Sequence, residues 1–215
     1  MHKYKIIFFS ILFLLITFAI VNVYGQDITA DTDAADAVFL RIKNATSKIM
    51  TLTGDFIQKK NIEIVKNMPE SKGRFFYKKP DCLRWEIIEP VKMGFIVNGS
   101  QGKKWRGKDD RLRKFEVGKE PIIGVISSQV FAWARGDFDK LKEGYEISIL
   151  KENPIEVKLV PLSSVEKQYI ASIILSFSRT DDYVENLEIN ETGGGSTQIT
   201  FYNMVPNNQL EEDIF

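Results

Sequence analysis

Histidine is all but absent. The 215-residue chain has one, His2, in a stretch read below as a removable leader. The rest can therefore build no serine–histidine or cysteine–histidine nucleophile and no imidazole metal site. Cysteine is as scarce: Cys82 stands alone, so no intrachain disulfide forms and no thiolate set for structural zinc exists. A single cysteine in an exported chain reads as a small buried or strand residue. Net charge is missing too, since 29 basic residues balance 29 acidic ones. The two signs interleave along the chain and give no footprint for nucleic acid.

Phosphate-loop spacing is also lacking. Gly99-Ser100-Gln101-Gly102-Lys103 has the wrong interval for a G-x-x-x-x-G-K-[ST] loop and sits in a hairpin, and Gly193-Gly194-Gly195 has no helix behind it. Two carboxylate pairs, Glu86/Glu89 and Asp109/Asp110, are the remaining catalytic candidates. Glu86 faces away from Leu83 and Trp85, and the aspartates fall in a turn. No catalytic residue, metal or cofactor is expected, and the chain reads as a binder.

Only one long apolar run occurs, and it opens the chain. Lys3 and Lys5 precede an apolar run over residues 6–23, with Val23 and Gly25 at the small-residue positions of a cleavage site. Residues 1–25 are thus expected to be a signal peptide, with a single domain over 26–215. Removing the two lysines leaves 27 basic against 29 acidic residues, a net of −2. The run is about 18 residues long, enough to span a bilayer, so an uncleaved anchor is the alternative. No cysteine follows Gly25, which argues against a lipoprotein.

Within residues 75–105 the sequence marks four short strands, 75–78, 83–88, 94–97 and 103–105. They are separated by Lys79-Pro80-Asp81, Glu89-Pro90 and an Asn98-Gly99 turn. Proline cannot donate to a sheet ladder and Asn-Gly tolerates positive φ, so both belong between strands. Leu83, Trp85 and Ile87 alternate with Arg84 and Glu86, which gives one apolar, aromatic face and one wetter face. Further strands are expected at 54–64, 111–116, 145–150, 155–160, 169–177, 184–190 and 198–203. A turn is expected around Pro69 and another at Lys108-Asp109-Asp110.

Two helices interrupt the strands. The first is capped at Asp33, with Asp36 three residues on, and carries Val38, Ile42, Ala45, Ile49 and Leu52 on one stripe about 80° wide. Phe39 flanks that stripe, while Leu40 and Met50 lie off it. The second follows Pro121 and is apolar nearly all round, so it must be buried on most sides. About ten or eleven strands in hairpin order argue for a strongly curved antiparallel sheet with the helices across its concave face.

The order Lys79-Pro80-x-x-Leu83-x-Trp85, Glu89-Pro90, an apolar strand, Asn98-Gly99 and a Trp105 strand resembles the periplasmic carriers of outer-membrane lipoproteins, the LolA family. Phe56-x-Gln58, the helix after Pro121, Leu159-x-Pro161 and Asp213-x-Phe215 extend the resemblance over nearly all of the mature chain. It implies an incomplete antiparallel β-barrel with a helical lid over an apolar cavity. The implied walls are Leu83, Trp85, Phe95 and Val97 on the sheet, Ile122 and Val125 on the buried helix, and Leu187 on a later strand. Val38, Ile42 and Ile49 line the lid. A basic residue before the proline latches the lid by bonding helix carbonyls. Here that residue is Lys79, where the family commonly has arginine, so a mobile ammonium with three donors replaces a planar fork of five. Relatives commonly continue past Asp-x-x-Phe with another strand, whereas this sequence stops at Phe215, so no role is carried over for that tail.

The function implied is a monomeric periplasmic carrier. It would accept acylated lipoproteins from an inner-membrane ABC-type releasing complex and pass them to an outer-membrane lipoprotein acceptor. The alternative is an envelope structural or interaction protein held by an uncleaved N-terminal anchor, and N-terminal sequencing separates the two.

Overall fold

Asn98-Gly99 turns as its chemistry dictates. Gly99 takes φ +60°, and its N–H donates to the Asp81 carbonyl at 3.3 Å, so the turn also ties down its neighbour. A computed structural model describes residues 32–61, 70–107 and 111–215, except for the side chains of 32–34, 121, 122 and 125. The leader, the turn around Pro69 and the Lys108-Asp109-Asp110 turn lie outside the described residues. So do the Ile122 and Val125 side chains.

Among the described residues eleven strands form one sheet. They are β1 (Thr51–Asn61), β2 (Glu70–Lys78), β3 (Cys82–Glu89), β4 (Met93–Asn98), β5 (Gln101–Arg106), β6 (Arg113–Glu116), β7 (Tyr145–Glu152), β8 (Ile155–Pro161), β9 (Ile170–Phe177), β10 (Val184–Glu191) and β11 (Ser196–Pro206). Every pairing is antiparallel, in the order β6-β5-β4-β3-β2-β1-β11-β10-β9-β8-β7. The first and last strands therefore pair in mid-sheet, and the open edges β6 and β7 are consecutive in sequence. The segment between them carries α2 (Pro121–Arg135) and α3 (Phe138–Lys142). The sheet is thus a curved half-barrel whose opening is spanned by helices.

Register explains why one face is apolar. Val97, Leu83, Tyr77 and Leu52 lie opposite one another on successive strands, and Phe95, Trp85 and Phe75 form the next row. On the other side of the β1–β11 seam, Leu187, Leu175, Val157 and Ile149 make the equivalent row. Because side chains alternate with period two, every member of these rows faces the concave side. Close approach is made possible by glycine: a Cβ at Gly73 would collide with the Phe56 ring, and one at Gly102 with the Phe115 ring.

The first helix, α1, runs Thr32–Ser47, shorter than its apolar stripe predicts. Asp33 lies inside it rather than at its cap. Lys48 and Ile49 donate to the carbonyls three residues back, and the Thr46 and Ser47 hydroxyls bond to Ile42 and Asn44 carbonyls, which tightens and ends the helix. β-Branched Thr51 and Thr53 then pair with β2 and β11. Ile49 is therefore a connector residue and Leu52 a strand residue, both buried in the core, and neither belongs to the lid helix. α3 was not expected. Asp137 caps it by accepting from the Lys140 N–H at 3.2 Å, and Phe138 and Leu141 are buried.

Candidate functional site

The concave face is where the expected wall residues meet. Leu83 and Val97 are fully buried, Phe95 and Leu187 nearly so, and Val38 and Ile42 of α1 belong to the same buried apolar cluster. Trp85 is only half-buried and anchors an aromatic group. It stacks on Phe56 at 4.4 Å, while Phe201 meets Trp85 and Phe75 edge-on at 6.1 and 5.5 Å. α2 presents Ile123, Ser127, Phe131 and Ala132 inward, and of its described side chains only Ser128 is exposed. Phe131 lies 6.0 Å from Tyr77 on the sheet, and Phe39 of α1 stacks on Phe138 of α3 at 4.4 Å. Leu83, Phe95, Val97 and Leu187 are thus closed off from solvent, while Trp85 keeps partial exposure.

Lys79 reaches from the β2–β3 turn to the end of α1. Its Nζ donates to the Thr46 and Ser47 carbonyls, each at 3.0 Å. A helix C-terminus carries partial negative charge on unpaired carbonyls, and α1 has no basic residue in its last turn. The sheet thus supplies the cation that the helix lacks. Burial, and next the Arg135 charge, lower the Lys79 pKa below the ordinary lysine value, which opposes the seated ammonium. Further along α1, Arg41 pairs with Asp181 at 2.9 Å and Lys142 of α3 pairs with Asp36 at 3.3 Å. The two lid helices meet at Gly136, the residue ending α2. Its φ is +61°, and a Cβ there would stand 2.9 Å from Thr46 Oγ1 and 3.1 Å from Lys43 Cα.

Three polar atoms beneath the lid are buried without a protein partner: Tyr77 Oη, Gln129 Oε1 and Trp133 Nε1. Burial pushes the Tyr77 hydroxyl up to about 12. At the far end of β1, Lys60 is also buried and pairs with Glu191.

The outer face differs from its expected wetness at Glu86. Glu86 is buried there, held by Arg74 and Arg84, and Arg84 also donates to the Ile214 carbonyl at 3.1 Å and lies over the Trp105 ring. This carboxylate is fixed in an ion-pair network. Cys82 is half-buried at the start of β3, and burial raises its thiol pKa.

The family model for the outer membrane lipoprotein carrier protein LolA matches residues 47–215. The chain belongs to this family. No curated protein matches it in sequence. Among solved structures, MucB superposes with a TM-score of 0.50 at 13% identity, covering 86% of this chain and 62% of that one. A LolA superfamily protein from Nitrosomonas europaea gives 0.44 at 8% identity, covering 84% and 96%. The Mycobacterium tuberculosis lipoprotein LppX gives 0.46 at 11%, covering 83% and 99%. At such identity the likeness to MucB concerns the fold.

Several site residues escaped the sequence. Tyr77, Phe75 and Phe56 have the alternation that marked Leu83 and Trp85, so that signal was present. Phe131 lies in the helix expected to be buried, but Phe201 and Gly136 had no signal, because only the β1–β11 seam and the helix crossing bring them in. No helix among the described residues is long and apolar enough to cross a membrane.

Proposed function

We propose that this LolA-family protein is a periplasmic carrier that shelters acyl chains on the concave face beneath α1 and α2. It takes lipoproteins from an inner-membrane ABC-type releasing complex and gives them to an outer-membrane acceptor. Transfer makes and breaks no covalent bond. The observation that carries this reading is an apolar concave face covered by a helix whose end is fastened from the sheet by Lys79. An acyl chain in water costs about 0.8 kcal/mol per CH₂. Cargo with two or three chains therefore needs apolar walls that replace most of those contacts.

The walls named above supply such contacts once the helices lift. When they reseat, Leu83, Val97 and Ile42 are all buried in one apolar cluster, so the empty carrier exposes no large apolar cavity. This alternation requires no specific bonds to the tails, which have no polar features to recognise.

The experiment is native purification from an envelope fraction followed by mass spectrometry of whatever remains bound. Acylated lipoproteins are the expected cargo, and they should compete with a fluorescent fatty acid for quenching of Trp85. Recovery of a non-acylated protein partner alone, with no acyl ligand displacing the probe, would instead assign the chain to envelope interaction.

A further inference from the structure

The zero net charge of the chain is a global balance, not a local one. Of the nine described residues in 103–107 and 111–114, six are basic and none is acidic. In the β5–β6 hairpin, Lys103 lies directly opposite Lys114, and Lys104 opposite Arg113. Like charges facing each other across a ladder destabilise it. Lys104 is compensated, since it pairs with Glu120 and lies 5.7 Å over the Phe115 ring. Lys103 and Lys114 have no acidic partner among the described residues. Guarding an open sheet edge against pairing needs charge only on the edge strand, which is β6. Lys103 lies one strand further in, so edge protection does not account for it.

Apolar groups accompany the charge. Leu112 is 56% exposed between Arg111 and Arg113, which are themselves exposed. The Gly107 N–H donates to the Lys92 carbonyl at 2.8 Å, which holds exposed Lys92 and Val91 alongside. Lys103 and Lys114 border a groove of about 320 Å³ lined also by Ile96, Asn98, Gln101, Gly102 and Phe215.

We propose that this hairpin is a docking surface for an anionic phospholipid bilayer. Lysine and arginine meet headgroup phosphates, and an exposed leucine flanked by arginines enters the boundary between headgroups and acyl chains. An acidic protein would match the charge but gives Leu112 no role. Lys103 and Lys114 continue the row of Ile96 and Arg84 on the outer side of the half-barrel, so their use needs no cargo.

Co-sedimentation with vesicles tests it, comparing the purified chain with a K103Q/K114Q variant that shares every other segment. Equimolar phosphatidylcholine and phosphatidylglycerol should retain the native chain, and phosphatidylcholine alone should not. Each basic residue near a charged surface is worth about fivefold, so the double variant should bind about 25-fold more weakly. Leu112→Ser should lose the part of binding that survives high salt. Lys114→Glu should raise the melting temperature by placing opposite charges across the ladder, yet reduce retention, a pairing that a structural role for the lysine would not produce. Equal retention on neutral and anionic vesicles, or unchanged partitioning of the double variant, overturns the proposal. So does binding to polyglutamate without binding to vesicles, which assigns the face to an acidic protein.

Discussion

Lys79→Leu removes the side chain that fastens the end of α1 to the sheet. The ammonium makes two bonds of 3.0 Å to carbonyls with no lysine or arginine of their own helix turn nearby. A hydrogen bond to a charged group contributes about 1.5 kcal/mol at the low end, so two give about 3 kcal/mol. The contacts are partly exposed and screened by solvent, which brings the net to about 1–2 kcal/mol; burial and the Arg135 charge also oppose the seated cation. That corresponds to roughly a 5- to 30-fold change in the ratio of closed to open lid. Global stability should change little, because Ile42 and Val38 stay in the cluster whenever the helix is seated. Hydrogen exchange at the α1 amides reads the lid directly and should accelerate by that factor. Cargo delivery should slow by a similar factor, since closing of the emptied carrier is what favours release. Lys79→Arg should restore both, having the same charge and more donors. Exchange in the leucine variant within twofold of the native chain would refute the latch.

Tyr77→Phe removes a buried hydroxyl that has no protein partner, so urea melts should show stability unchanged or raised by about 1 kcal/mol. The same variant tests a pH effect. The folded Tyr77 pKa is raised to about 12 from an ordinary 10, so the folded state keeps a proton that the unfolded chain gives up. Its contribution is complete below pH 10 and is lost as pH climbs towards 12, at about 1.4 kcal/mol per pH unit; the phenylalanine variant should lose that part of the alkaline slope. Gly136→Ala places a Cβ against Thr46 and Lys43 at φ +61°, which costs about 1–2 kcal/mol in backbone strain alone. Calorimetry should show a lower melting temperature, and α1 and α2 should exchange faster together.

Strand positions were legible where turn chemistry is local: Pro80, Pro90 and Asn98-Gly99 mark the turn ends of β2 to β5 within two residues, while β2 begins at Glu70 rather than at 75. The curved antiparallel sheet with helices across its concave face followed from strand order and from two apolar helical stretches, whereas the incomplete barrel and its lid were what the resemblance implied. The pairing of β1 with β11 was not legible, since nothing in Phe56 or Phe201 announces that they are neighbours across the seam. The end of α1 was misread for a physical reason. Ile49 and Leu52 continue the helical period, but the Thr46 and Ser47 hydroxyls compete for the last carbonyls and Thr51 and Thr53 prefer the sheet. Lys79 was placed by resemblance, and its partners came only from the geometry. The buried Glu86 was hidden by an alternation rule that assigns its face to water, because Arg74, Arg84 and Ile214 all arrive from elsewhere in the chain.

The closed lid is a balance of small opposing effects. On one side stand Lys79, the partly exposed Arg41–Asp181 pair and the Lys142–Asp36 pair; exposed ion pairs of this kind are worth at most about 1 kcal/mol each. On the other stand Tyr77 Oη, Gln129 Oε1 and Trp133 Nε1, each buried unpartnered at about 1–3 kcal/mol. Lifting the helices gives those atoms water but exposes Phe131, Ile123 and Ile42, which restores the apolar cost. Fully apolar residues at 77, 129 and 133 would shut the face more firmly and leave cargo less able to open it. On the proposed function, a carrier that must close when empty and yield to an acyl chain needs the two sides nearly equal, and the three orphaned polar groups act in that direction.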